Sequence, residues 1–140
     1  MNEKQASILC VDDDPDFLDM YRRVFEPRGY RVICCSNSQD ALQKMTEEKP
    51  ALVVTDLMMS SLDSGFSFAR TVKEDARFVN VPVIIVTAIG GQRGFDFTPR
   101  SKEDLQAMCA DAFFDKPVDP RVLVANVEEL LKKSRQEDSP

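Results

Sequence analysis

Four short apolar runs, each ending abruptly on a charged or hydroxyl side chain, constrain this chain more than any other feature. Ala51-Leu52-Val53-Val54-Thr55 stops on Asp56, and Ile8-Leu9-Cys10-Val11 stops on Asp12-Asp13. Val83-Ile84-Ile85-Val86 stops on Thr87, and Ala112-Phe113-Phe114-Asp115 runs into Lys116-Pro117. Continuous apolar runs of this length, rich in β-branched residues and bounded by turn formers, read as strands of a parallel sheet buried on both faces. In an open α/β sheet, ligands bind beyond the carboxyl ends of the strands. The pattern therefore gathers three acids, a hydroxyl and an ammonium at one end of one sheet.

The segments between the runs have helical character. Asp14-Pro15 predicts an N-cap with proline at the first helical position, and Phe17, Leu18, Tyr21, Val24 and Phe25 recur at helical spacing to about Glu26. Pro27 and Gly29 end that helix, and Tyr30 to Cys35 reads as a second strand centred on Val32 and Ile33. Ala41, Leu42 and Met45 mark a short second helix stopped by Lys49-Pro50. Residues 57–65 read as a loop, and Phe68, Ala69 and Val72 as the inner face of a third helix. Gly90 to Arg100 is a long, glycine-rich connection. Ser101-Lys102-Glu103-Asp104 resembles a capping box for a fourth helix, with Leu105, Met108 and Ala112 facing inward. Asp119-Pro120 starts a fifth, amphipathic through Leu123, Val127, Leu130 and Leu131. The polar tail from Lys132 reads as frayed. Five strands alternating with five helices predict an α/β, doubly wound parallel sheet with helices on both faces and strand order 2-1-3-4-5. That order sets strands one and three side by side, making Asp12, Asp13 and Asp56 neighbours.

At 140 residues and 43% hydrophobic content, the chain suits a single domain with a real core. A formal charge of -6 argues against nucleic acid or an anionic membrane as partner and fits a cation site. The sequence shows neither a membrane-spanning run nor a signal-peptide hydrophobic region, which predicts a cytoplasmic protein. The four cysteines, Cys10, Cys34, Cys35 and Cys109, form no Cys-x-x-Cys pair and read as core or near-core thiols. The absence of histidine removes Ser-His-Asp and Cys-His chemistry and most zinc sites.

Carboxylates crowded at one sheet end repel, so either one takes up a proton or a cation settles among them. Magnesium suits such a place, since it takes one or two carboxylates, keeps waters and completes its shell with phosphate oxygens. Asp56 is then placed as a nucleophile toward phosphorus, with Lys116 and Thr87 meeting charge on the equatorial oxygens. Asp14 and Asp16 read as helix-end residues. Asp12, Asp14 and Asp16 also mimic the start of a calcium loop, but Phe17 and Arg23 stand where its glycine and closing glutamate belong. Gly90-Gly91 and Gly94 lack the Gly-Lys-Ser/Thr ending of a phosphate-binding loop.

Val11-Asp12-Asp13-Asp14-Pro15, Asp56-Leu57-Met58-Met59, Val86-Thr87-Ala88 and Asp115-Lys116-Pro117 resemble, in order and over about residues 6–131, the signature of the two-component response regulator receiver domain. The resemblance implies a flavodoxin-like fold and a stand-alone phosphoacceptor module, with 1–5 and 132–140 as flexible termini. It implies that Asp56 accepts a phosphoryl group from a histidine kinase or histidine phosphotransfer protein. It further implies that Asp12, Asp13 and Asp56 hold Mg2+ together with the Met58 backbone carbonyl. Thr87 and Lys116 then serve the phosphoryl group, and Phe113, three residues before the lysine, is the aromatic switch beside Thr87. No enzyme activity is implied beyond self-phosphorylation from phosphodonors and slow autodephosphorylation. The downstream protein would be met through helix four, strand five and the 90–100 loop, where Phe95 and Phe97 lie.

The chain departs from that pattern in places. Ser60 stands where the family usually has proline, Ser64 separates Asp63 from Gly65, and the stretch from Thr87 to Lys116 is roughly seven residues longer than usual. Met58 and Ile89, the positions that tune hydrolysis in the family, are apolar. Two alternatives stay open at this point. One is an aspartate-nucleophile phosphatase of the haloacid-dehalogenase type, with Asp12 as nucleophile and Asp14 as acid, although Pro15-Asp16 interrupts its motif. The other is a receiver-like docking module that is never phosphorylated.

Overall fold

The computed structural model describes residues 6–57, 64–88 and 101–138, with side chains omitted for 64–66 and 135–138. Five strands form one parallel sheet: β1 (Ser7–Val11), β2 (Arg31–Cys35), β3 (Leu52–Thr55), β4 (Val83–Thr87) and β5 (Ala112–Asp115). Their order is β2-β1-β3-β4-β5, as the sequence predicts. Between and after them come α1 (Pro15–Phe25), α2 (Ser38–Glu47), α3 (Ser64–Glu74), α4 (Lys102–Ala107) and α5 (Pro120–Asp138).

Burial explains the apolar runs. β1, β3 and β4 are buried at every residue, whereas β2 and β5, at the two edges, are only partly so. Along the central strands the side chains alternate between layers. Ile8, Cys10, Leu52, Val54, Ile84 and Val86 pack with Tyr21, Phe25, Leu123 and Val127 of α1 and α5. Leu9, Val11, Val53 and Val83 pack on the other side with Ala41, Met45, Phe68 and Val72 of α2 and α3. A smaller cluster of Leu57, Ile85 and Ala110, joined by half-buried Leu105, Met108 and Phe113, lies beneath α4. Cys10 and Cys35 are buried, Cys34 and Cys109 half-buried, and all four are free thiols.

Helix ends follow local chemistry. The Asp14 carboxylate accepts from the Asp16 backbone N–H at 2.9 Å, opening α1 as expected of an N-cap. Past Phe25 a 3-10 turn over Glu26–Arg28 closes on Gly29, whose φ of 93° is the left-handed conformation glycine adopts without strain. Ser101 accepts from the Asp104 N–H at 3.1 Å, and Asp119 from the Arg121 N–H at 2.9 Å.

Three boundaries differ from the sequence reading. α3 begins at Ser64, inside the stretch read as loop, because Ser64 and Gly65 are tolerated in a first helical turn. α4 ends at Ala107, and Ala112 belongs to β5, not to the helix's inner face. There the Asp111 N–H donates to the Val83 carbonyl at 2.7 Å, so strand pairing captures the chain before another helical turn forms. α5 continues to Asp138, past the Lys132 that the sequence reads as the start of a frayed tail, and Lys133 and Glu129 form an i,i+4 ion pair at 3.9 Å on that stretch.

Candidate functional site

The strand ends converge at the carboxyl edge of the sheet through backbone bonds that continue the ladders. The Asp12 N–H donates to the Cys35 carbonyl at 3.0 Å, that of Asp56 to Val11 at 3.0 Å, and that of Lys116 to Thr87 at 3.0 Å. Each functional side chain thus lies where its strand stops: Asp12 and Asp13 after β1, Asp56 after β3, Thr87 at the end of β4 and Lys116 after β5. The Lys116-Pro117 peptide is cis.

The side chains form one connected set. Asp12 is fully buried and Asp56 is 5% exposed. Lys116 Nζ donates to Asp12 Oδ2 at 2.8 Å and to Asp56 Oδ2 at 3.1 Å. The buried Thr87 hydroxyl donates to Asp56 Oδ1 at 2.5 Å, so both oxygens of the Asp56 carboxylate are held in orientation from different strands. Asp12 Oδ1 accepts from the Asp14 N–H at 2.9 Å. Asp13, by contrast, is exposed.

Electrostatics mark the place as short of positive charge. Burial raises the Asp12 carboxyl above its usual range, and the hydrogen bonds from Lys116 and Asp14 offset this only in part. Burial alone would lower Lys116, yet the carboxylates of Asp12 and Asp56 outweigh it and hold the ammonium raised and charged. The two directions agree, because two buried carboxylates share a single ammonium. Asp12, Asp13 and Asp56 bring oxygens within 4.8 Å of one another, making them the acidic group that could hold a metal among the described residues. Three carboxylates against one ammonium leave two negative charges, the charge of one divalent cation. An all-oxygen, partly exposed donor set of this kind fits Mg2+.

The remaining candidates are placed as follows. Phe113 lies on β5, half-buried in the cluster beneath α4. Met58, Ser60, Ile89, Phe95, Phe97 and the 90–100 loop lie outside the described residues. Phe17, read from sequence only as part of the inner face of the first helix, has its ring 3.8 Å from Lys116 Nζ. The only signal available in sequence was its place within one helical turn of the Asp12-Asp13 pair. Among the described residues no helix is long and apolar enough to cross a membrane.

Comparisons with known proteins follow the same lines. The family described as "Response regulator receiver domain" matches residues 8–128. Response regulator Rre1 of Synechocystis is 35% identical over 130 residues, covering 92% of this chain and 53% of that protein. An uncharacterized 14.6 kDa protein from the sodA1 3' region of Leptolyngbya boryana is 35% identical over 128 residues, covering 89% of each. Apart from the latter, the chain spans about half the length of the curated relatives it matches. In fold, it is similar to a CheY-like response regulator receiver domain protein from Methanospirillum hungatei, with a TM-score of 0.80 at 24% identity over 96% of this chain and 99% of that one.

Proposed function

Because this chain belongs to the family of response regulator receiver domains of two-component systems, we propose that it takes a phosphoryl group onto Asp56 and changes conformation on doing so. Receiver domains interact with histidine kinases or phosphotransfer proteins; the donor here is one of these, since the chain has no histidine of its own. The observation that carries the reading is the Asp56 carboxylate held between Lys116 and Thr87 at the switch point of the sheet.

An Asp56 oxygen attacks phosphorus in line with the departing donor nitrogen. The new O–P bond forms as the P–N bond breaks, leaving the electron pair on the imidazole. Charge spread over the equatorial oxygens is met by the Lys116 ammonium and the Thr87 hydroxyl, both already at bonding distance from Asp56. Asp12, Asp13 and Asp56, with the Met58 carbonyl, would hold Mg2+, which supplies further positive charge to the phosphoryl oxygens. Lys116 bonds both to a proposed metal ligand and to the acceptor, so one side chain couples the two. Thr87 and Phe113 carry the switch from the site toward α4. A water later attacks the phosphorus, the Asp56 O–P bond breaks with its electron pair returning to the carboxylate, and inorganic phosphate leaves.

The functional unit is residues 6–131, and α5 carries the chain beyond it as helix to Asp138. It works in the cytoplasm, binds neither nucleic acid nor membrane, and meets its target through α4, β5 and the 90–100 loop. Its chemistry is confined to its own phosphorylation and slow dephosphorylation, in keeping with receiver domains, which are typically not true enzymes.

Intact-mass measurement after incubation with acetyl phosphate and Mg2+ is the test. One phosphoryl increment is expected on the protein, and none on Asp56→Asn. An increment that survives Asp56→Asn but vanishes in Asp12→Asn would establish the phosphatase-type chemistry instead, and none on the unaltered chain would leave a docking module.

A further inference from the structure

Resting on the phosphoacceptor reading above, we propose that Phe17 is a positioning residue for Lys116, an uncharged neighbour that holds the ammonium in place while its contact with Asp56 changes. The inference starts from what a lysine lacks. Its ammonium is a point charge on a flexible four-carbon stem, with three donors and no built-in direction. In this chain two of those donors go to Asp12 Oδ2 and Asp56 Oδ2, and the face of the Phe17 ring lies 3.8 Å away. That is well inside the range of a cation–π contact, and the lysine side chain is only 10% exposed, so water competes little for it.

The ring is braced from behind. Phe17 and Tyr21, one turn apart on α1, have centroids 6.5 Å apart, and Tyr21 stacks on Phe25 at 6.2 Å and 15°. Phe25 meets Tyr30 edge-on at 6.2 Å, with Tyr21 and Phe25 essentially buried in the main core. A column of four aromatics therefore fixes the ring from the core outward. The connection between β1 and α1 also carries Asp12, so the ring and the Asp12 carboxylate are registered to each other by a few residues of backbone.

Phosphorylation changes the lysine's contact with Asp56. When Asp56 becomes an acyl phosphate its carboxylate charge is gone, and the negative oxygens available to Lys116 belong to the phosphoryl group. The attraction of the ring needs no anion and is the same before and after. Without it, the stem must find the phosphoryl oxygens from a wider set of rotamers.

The experiment compares the full chain with Phe17→Leu, which keeps an apolar side chain but loses the aromatic face, and with Phe17→Tyr, which restores it. The first readout is the NMR relaxation and ring-current shift of the Lys116 Cε–Hε group without any ligand. An upfield shift and restricted motion are expected in the parent and in Phe17→Tyr, and loss of both in Phe17→Leu. An unshifted, mobile group in the parent, or no change in Phe17→Leu, overturns the proposal whatever the fate of the phosphoacceptor reading. The second readout is the affinity for beryllofluoride with Mg2+, followed by fluorine NMR in Lys116 and Lys116→Met backgrounds. Phe17→Leu should weaken it about tenfold when Lys116 is present and less than about twofold when it is absent. Equal losses in the two backgrounds would mean that Phe17 only fills space, overturning the proposal. Failure of the parent to bind beryllofluoride would instead count against the phosphoacceptor reading, leaving the ligand-free spectra to decide the role of Phe17.

Discussion

The layer beneath α1 and α5 and the layer beneath α4 are built to different thicknesses. Among the described residues, the first buries 13 side chains, including Tyr21, Phe25, Leu52, Ile84 and Leu123, while the second buries three, Leu57, Ile85 and Ala110. α5 contributes four residues to the thick layer, whereas α4 has no buried residue of its own and meets its cluster through half-buried Leu105, with half-buried Met108 just past its end. Each fully buried aliphatic or aromatic side chain stabilises by roughly 1.5–3 kcal/mol, so the two helices are held by quite different totals. The lesson concerns the division of labour. Asp12 and Phe17 are tied to the thick side, where displacement means breaking the core. α4 sits on the thin side, where a shift disturbs few contacts, and local opening is drawn from regions of that kind.

The largest effect that could break this comparison is on stability. Phe25→Ala should cost about 3–5 kcal/mol of unfolding free energy in a urea titration, against about 1 kcal/mol or less for Leu105→Ala. Comparable losses would show that α4 belongs to the same cooperative core as α1. Next in size is metal affinity. Asp13→Ala should weaken Mg2+ binding roughly tenfold by calorimetry, through loss of one carboxylate charge, with Leu105→Ala and Asp16→Ala leaving it nearly unchanged. A marked loss from Leu105→Ala would mean that the metal site also depends on the thin side. The smallest effect is at the start of α4. Ser101→Ala removes a cap worth about 1 kcal/mol to its helix, and it should appear as faster amide exchange confined to Lys102–Ala107 with the overall melting transition unmoved. Exchange that quickens equally in α5 would tie the two helices together.

Much of this arrangement was legible in the residues themselves. The central strands announced themselves because burial on both faces demands unbroken apolar runs, and the order followed because parallel strands with helical crossovers leave few topologies. Asp12, Asp56, Thr87 and Lys116 could be placed because each sits where such a run stops. What the residues could not show depends on contacts between distant parts of the chain. The end of α4 is decided by the Asp111 N–H reaching the Val83 carbonyl, against a helical period that nominally continued to Ala112. The extension of α5 to Asp138 passes through polar residues whose helical state no apolar stripe signals. Phe17 had the spacing of a core-facing residue, and nothing local indicated that a lysine from the far edge strand would rest on its ring.

The site draws Asp12, Asp56, Thr87 and Lys116 from the ends of four different strands, and its last member arrives only with β5. No fragment of the chain that stops short of Lys116 has an ammonium against the buried carboxylates, and none that is misregistered by one residue keeps them on the same side of the sheet. On the phosphoacceptor reading proposed above, readiness to accept a phosphoryl group is therefore also a certificate of assembly: a copy that is clipped before Lys116 or only partly folded lacks the completed site.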